Sequence, residues 1–201
     1  MNNYAYFTLL CTNNYLYSCI GLIYSWKKTN PKYPFYCIVT ENITEENVSI
    51  LEKIGYNVIK EKEYIPALYI KTLKQFENEG IAERASSDVT KNGWQHAWTK
   101  FLLFKQIQFD KILYIDADSY IIQNLDDMFE KEGGSHLTNY YSRFIQKPEF
   151  WGAFFLIQPN IETFNKLNDF VEHNATYVHP VTHKVCLYND AEVLRDVFTE
   201  W

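Results

Sequence analysis

The chain has 201 residues, 47% of them hydrophobic and 17% aromatic, and a formal net charge of −6. That length fits one domain, or at most two small ones, with ample apolar side chains for a packed core. The acidic balance excludes a general nucleic-acid binder, which needs a basic face for phosphates.

Strand and helix patterns alternate along the chain. The apolar run YAYFTLL (4–10) reads as a strand buried on both faces, and YLYSCIGLIYSWKK (15–28) as a helix ended by Asn30-Pro31. FYCIVT (35–40) is a second strand. The helix over 44–55 has Thr44 as N-cap and Gly55 as its stop, and YNVIK is a short third strand. Residues 61–93 read as a loop-rich excursion with one helical piece near 67–77, the kind of insertion that closes over a ligand; Arg84 lies in it.

WQHAWTKFLLFKQI (94–107) is helical, with Trp94, Ala97, Trp98, Phe101 and Leu102 on one stripe. KILYID (111–116) is a strand, NLDDMFE one or two helical turns, and GAFFLIQP (152–159) another strand; 161–173 and 190–199 are helical. This alternation predicts an α/β fold: a Rossmann-like, mostly parallel central sheet with helices on both faces, formed as a single domain over 1–201.

The four cysteines, Cys11, Cys19, Cys37 and Cys186, lack Cys-x-x-Cys spacing and read as free buried thiols of a reducing compartment. The amino terminus has no basic segment, and its apolar run is too short to span a bilayer, so a cytoplasmic protein without a membrane partner is expected. The aromatic side chains admit two readings, as core or as stacking surfaces for sugars or bases.

Asp116 and Asp118 close the strand 111–116. In a continuing strand, residues i and i+2 share a face, so the two carboxylates would lie side by side at the carboxyl end, where open α/β sheets bind ligands. Their mutual repulsion is relieved by a divalent cation such as Mn²⁺ or Mg²⁺ shared with substrate phosphates. The alternative is a pair of surface aspartates opening a turn.

YFTLLCTNNYLYSCIGLIYSWKK, then WTKFLLFKQIQFDKILYIDADSYIIQNLDDMF, then FFLIQPN and NDAEVLRDVF resemble, over nearly the whole chain, the glycogenin-like glycosyltransferases of family 8, which have a GT-A fold. The resemblance implies a transferase that moves a sugar from a UDP-sugar donor to an acceptor hydroxyl on a carbohydrate or protein, with retention of configuration. Asp116 and Asp118 would hold Mn²⁺ (or Mg²⁺), and Thr12, Asn13 and Tyr15 would lie near the uridine. Lys100 would reach the diphosphate, and Asp190 would face the donor sugar.

Each of these residues also has a structural reading. Thr12 and Asn13 suit a helix cap, Tyr15 a core contact, Lys100 the solvated side of its helix, and Asp190 the N-cap of the last helix. The chain departs from the family pattern at three places. Trp151-Gly152-Ala153 stands where an Asn-Ser-Gly or Asn-Ala-Gly is usual, and Asp190-Ala191 replaces Asp-Gln. The histidine that serves the family as third metal ligand has no counterpart stretch, and His179 and His183 straddle Pro180 and are not assigned to a metal. These departures also suit a nucleotide-sugar-binding relic of the same fold. A haloacid-dehalogenase-type phosphatase would share the paired aspartates, but its motif opens the chain and continues Asp-Gly-Thr, whereas Ser119-Tyr120 follows here.

Overall fold

A computed structural model describes residues 2–79, 94–131, 136–142, 147–178, 183 and 185–198. Its main sheet contains β1 (Tyr4–Leu10), β2 (Phe35–Thr40), β3 (Asn57–Glu61), β4 (Lys111–Ile115), β5 (His136–Ser142) and β6 (Lys147–Ile157), in the order β3-β2-β1-β4-β6-β5. Strands β3, β2, β1 and β4 run parallel, with Thr8 opposite Cys37 and Phe7 opposite Tyr114. The expected α/β fold with a mostly parallel sheet is the one observed. Strand β6 starts earlier than its apolar pattern and runs antiparallel to β4, with Leu113 opposite Leu156. Strand direction leaves no mark in hydrophobic periodicity, which is why the pattern alone could not reveal it.

The chain divides into two compact units. The first comprises Met1–Glu63, Gln106–Leu137 and Ala153–Pro159. One face of its sheet packs Tyr6, Leu10, Phe35, Cys37, Leu113 and Ile115 against α1 (Leu16–Lys27) and α2 (Glu45–Ile54). On the opposite face Phe7, Ile38 and Ile112 are also fully buried. The helix ends follow the sequence signals. Thr44 caps α2 by accepting the Asn47 N–H at 3.3 Å, and Gly55 ends it at φ 105°, a left-handed conformation that a side chain resists.

The Asn-x-Asp-Asp-x-Phe stretch after β4 is scaffold. Asn124 donates to the carbonyls of Thr29 and Asn30 just past α1. The buried Asp126 accepts from Tyr6 Oη at 2.8 Å and the Lys32 N–H at 3.0 Å, and Phe129 stacks on Tyr4. Buried Lys111 donates to the carbonyls of Phe129 and Lys131, which close the 3₁₀ turn Asp126–Glu130. Each buried polar group here is hydrogen-bonded, as burial demands.

The second unit comprises Tyr64–Lys105, Thr138–Gly152 and Asn160–Trp201. It contains α3 (Ala67–Asn78), a 3₁₀ helix over Trp94–Lys105, α4 (Ile161–His173), the hairpin β7 (Thr176–Val178) and β8 (Val185–Leu187), and α5 (Asp190–Val197). Trp98 packs edge-on against Tyr69 and Phe101, and Tyr188 against Phe170. The helix over 94–105 has no polar side along its middle: every residue from Trp98 to Phe104 is buried, Lys100 among them.

All four cysteines are free, three of them buried and Cys186 partly so. Among the described residues no helix is long and apolar enough to cross a membrane.

Candidate active site

In the first unit, strands β1 and β4 are neighbours while the chain continues from β1 to β2 on the other side. Their carboxyl ends therefore flank the point where strand order reverses, the usual ligand crevice of an open α/β sheet. The turn after β1 carries Thr12, Asn13 and Tyr15; the turn after β4 carries Asp116 and Asp118.

Strand β4 stops at Ile115, so the shared-face argument for the two aspartates does not apply. Instead the Ser119 N–H donates to the Asp116 carbonyl at 3.0 Å and closes a turn, with Asp116 at the opening position that aspartate favours. The Asp116 N–H donates to the Ala153 carbonyl at 2.8 Å, which continues the β4–β6 ladder one residue past the strand. Tyr114 Oη donates to Asp116 Oδ1 at 2.5 Å, leaving this carboxylate half-buried and oriented, while Asp118 is exposed. Two hard oxygen donors, one fixed and one open, fit a divalent cation that keeps waters and shares phosphate oxygens. Among the described residues no cluster of three or more histidine, cysteine or carboxylate side chains forms a full metal cage.

The turn after β1 corrects two expectations. Thr12 precedes the 3₁₀ turn Asn13–Tyr15 without a capping hydrogen bond from its side chain. Tyr15 is exposed, so its ring is no core contact. Asn13 is tied to the neighbouring loop. Its amide donates to the Asn42 carbonyl at 3.0 Å, and its oxygen accepts from the Thr44 N–H at 3.2 Å and Asn47 Nδ2 at 2.7 Å. With both lone pairs engaged, Asn13 fixes the turn that displays Tyr15.

In the second unit, Lys100 and Asp190 form a buried ion pair, Nζ to Oδ2 at 3.0 Å, with side chains 10% and 9% exposed. Lys100 also donates to the Gly152 carbonyl at 3.1 Å. The solvated-lysine reading is overturned. The cap reading of Asp190 is overturned as well: Asn189 is the N-cap, in a reciprocal box with Glu192, and Asp190 is the first helical residue. Gly152 is closely surrounded. A Cβ there would stand 3.2 Å from Asp190 Oδ2 and 3.3 Å from Ala191 Cβ.

Three residues around Asp190 escaped the sequence reading: Asn189, Glu192 and Tyr177. Glu192 accepts the Asn189 N–H at 2.9 Å and the Tyr177 hydroxyl on its other oxygen. The Asn-x-x-Glu spacing was the available signal. Burial pushes the Glu192 carboxyl up, against the hydrogen bonds from Tyr177 and Asn189. His183 is exposed, at φ 53°. Arg84, His179 and the Trp151 side chain lie outside the described residues.

A sequence profile for glycosyl transferase family 8 matches residues 7–172. Glycogenin-1 of Caenorhabditis elegans is 23% identical over 208 residues, covering 98% of this chain and 40% of that protein. Uncharacterized protein R707 of Acanthamoeba polyphaga mimivirus is 30% identical over 131 residues, or 65% of this chain and 41% of that one. The chain thus spans about two fifths of the length of these relatives. In three dimensions it is similar to the galactosyltransferase LgtC, solved with donor and acceptor sugar analogues, at a TM-score of 0.63 and 14% identity. That match covers 96% of this chain and 70% of LgtC. The glycosyltransferase GlyE of Streptococcus pneumoniae TIGR4 matches at a TM-score of 0.62 and 19% identity, over 100% of this chain and 44% of that one. At these identities the likeness shows the fold, which is the GT-A arrangement.

Proposed function

The chain belongs to glycosyl transferase family 8, and we propose that it is a metal-dependent enzyme moving a sugar from a UDP-sugar donor to an acceptor hydroxyl, on a carbohydrate or a protein, with retention. The observation that carries this reading is the Asp116–Asp118 turn at the carboxyl end of β4, beside the β1 turn with its exposed Tyr15.

The reaction breaks the bond between the sugar's anomeric carbon and the diphosphate oxygen. It forms one bond from that carbon to the acceptor oxygen, and the acceptor's proton leaves. The difficulty is charge on the departing UDP. Asp116 and Asp118 would hold Mn²⁺ (or Mg²⁺), which when bound supplies positive charge to the diphosphate. Lys100 would, in this reading, add positive charge to the leaving group, and a preorganised charged donor of this kind is worth roughly 2.7–4 kcal/mol of barrier. Asp190 holds the ammonium of Lys100 in place and, in this reading, meets the donor sugar. The Tyr15 ring offers a face to uracil, since every base has one. Thr12 shares its turn, and Asn13 fixes it.

The test is thermal stability of the purified chain with UDP and UDP sugars, with and without Mn²⁺. A ligand of the native state raises the melting point by mass action. The expected result is a Mn²⁺-dependent rise that vanishes in Asp116→Asn with Asp118→Asn. A folded protein that responds to no nucleotide would reject the donor-site assignment. Donor binding without transfer or hydrolysis would favour the binding-relic reading.

A further inference from the structure

Tyr114 lies on β4 two residues before Asp116, and its hydroxyl donates to Asp116 Oδ1 at 2.5 Å. The two side chains meet because the alternation of β4 persists past its last residue. Ile115 and Ala117 turn into the core on the α1 and α2 side, which leaves Tyr114 and Asp116 on the opposite face. The Asp116 N–H, bonded to the Ala153 carbonyl at 2.8 Å, keeps the backbone in the β4–β6 ladder to that point. The tyrosine has little freedom. It is 1% exposed, with Phe7 of β1 and Phe155 of β6 as its ladder partners on either side. Its ring packs on that of Phe155, the centroids 4.9 Å apart. A hydroxyl carried by so fixed a ring is a fixed donor, and it holds the half-buried carboxylate of Asp116 in one orientation.

We propose that Tyr114 is a positioning residue that sets cation choice: it makes Asp116 a one-oxygen ligand and so favours Mn²⁺ or Mg²⁺ over Ca²⁺. The proposal rests on the metal-site reading above. A hydrogen bond to Oδ1 draws on that oxygen's donor strength and opposes the swing that would bring both carboxylate oxygens onto one ion. Mg²⁺ demands near-ideal octahedral geometry and keeps several waters, which a single fixed oxygen from each of two aspartates allows. Octahedral oxygen sites suit Mn²⁺ as well. Ca²⁺ is larger, takes more oxygens in a looser geometry and readily uses both oxygens of one carboxylate, the grip that Tyr114 obstructs. Partners that hydrogen-bond a ligating group orient it and tune the metal in this way.

The experiment measures Mn²⁺ binding to the full chain, without nucleotide, from the electron paramagnetic resonance signal of the free ion, and Ca²⁺ binding by competition. The wild type is expected to bind Mn²⁺ more tightly than Ca²⁺, and Asp118→Asn to remove most of the Mn²⁺ binding. Tyr114→Phe keeps the ring that packs on Phe155 and removes only the hydroxyl. It should weaken Mn²⁺ roughly tenfold, in line with the loss of such a partner, and weaken Ca²⁺ less, so that the preference narrows. A hydroxyl that served stability alone would lower the melting point of the metal-free chain and leave the preference between the ions unmoved. The proposal is overturned if Tyr114→Phe keeps the wild-type Mn²⁺ affinity, or loses Mn²⁺ and Ca²⁺ in equal proportion. It is overturned whatever the variant does if the wild type binds Ca²⁺ as tightly as Mn²⁺. Mn²⁺ binding that is absent from the wild type, or indifferent to Asp118→Asn, would reject the metal-site reading and this inference with it. Asp118-dependent Mn²⁺ binding that Tyr114→Phe leaves unaltered would reject this inference alone.

Discussion

Lys100 Nζ lies 3.0 Å from Asp190 Oδ2, and the two side chains are about nine-tenths buried. Removing one partner leaves a charge in an interior that cannot solvate it, at a cost of about 3–5 kcal/mol. Lys100→Met and Asp190→Asn should each lower stability by that order in urea unfolding. The double variant should recover part of the loss, because it abolishes the orphaned charge. Two small and additive single effects would mean that water reaches the pair.

A side chain at Gly152 would be crowded against the start of α5. Its Cβ would meet Asp190 Oδ2 at 3.2 Å and Ala191 Cβ at 3.3 Å. Both atoms belong to the first turn of α5, which its capping box holds in place. Gly152→Ala is therefore expected to cost roughly 1–3 kcal/mol by overpacking. Ala191→Gly, made in the Gly152→Ala background, should return part of that loss, although glycine itself costs a helix about 0.5–1 kcal/mol. If Gly152→Ala proved neutral in denaturant unfolding, the turn would have yielded and the crowding argument would be wrong.

What could be read in advance followed from local chemistry. Thr44 and Gly55 fixed α2 because a cap and a left-handed stop depend only on neighbours in the chain. The paired aspartates at the end of an apolar strand located the candidate site, since strand and motif are adjacent. What escaped depended on partners far away in sequence. Lys100 looked like a surface lysine because its ion-pair partner is 90 positions distant. The same holds for Asn13, whose partners Asn42, Thr44 and Asn47 lie 29, 31 and 34 positions along the chain. Asp190 is different: the local Asn189-x-x-Glu192 spacing already offered Asn189 as the cap.

Tyr6 and Asp126 couple the central strand to the 3₁₀ turn after β4. The buried carboxylate accepts from Tyr6 Oη and the Lys32 N–H, and burial, with the hydrogen bond and negative charge of Asp126 adding to it, pushes the phenol well above its ordinary range. Tyr6→Phe removes one of those donors without changing the ring, so the expected loss is about 1–3 kcal/mol. Asp126→Ala should cost more, because it frees both donors and empties the space. Equal losses in equilibrium unfolding would show that the hydroxyl alone carries the link.

Glu192 gives the second unit a pH dependence of defined sign. Burial raises its carboxyl pKa and Asp190 adds to that, while Tyr177, the Asn189 N–H and Arg195 pull it down; the net direction is up. The folded chain therefore holds this proton to higher pH than the unfolded chain, whose glutamate titrates near 4.3, roughly its ordinary value. The corresponding stability is complete below that ordinary range and is lost as pH rises through the raised value. Glu192→Gln carries no proton equilibrium, so the part of the slope due to Glu192 should disappear while other carboxylates keep theirs. Urea midpoints measured at a series of pH values upward from the ordinary glutamate range test this directly. A wild-type slope unchanged in Glu192→Gln would mean that another group sets it. In that case the tie from Tyr177 and Asn189 through Glu192 would hold the start of α5 by hydrogen-bond geometry alone.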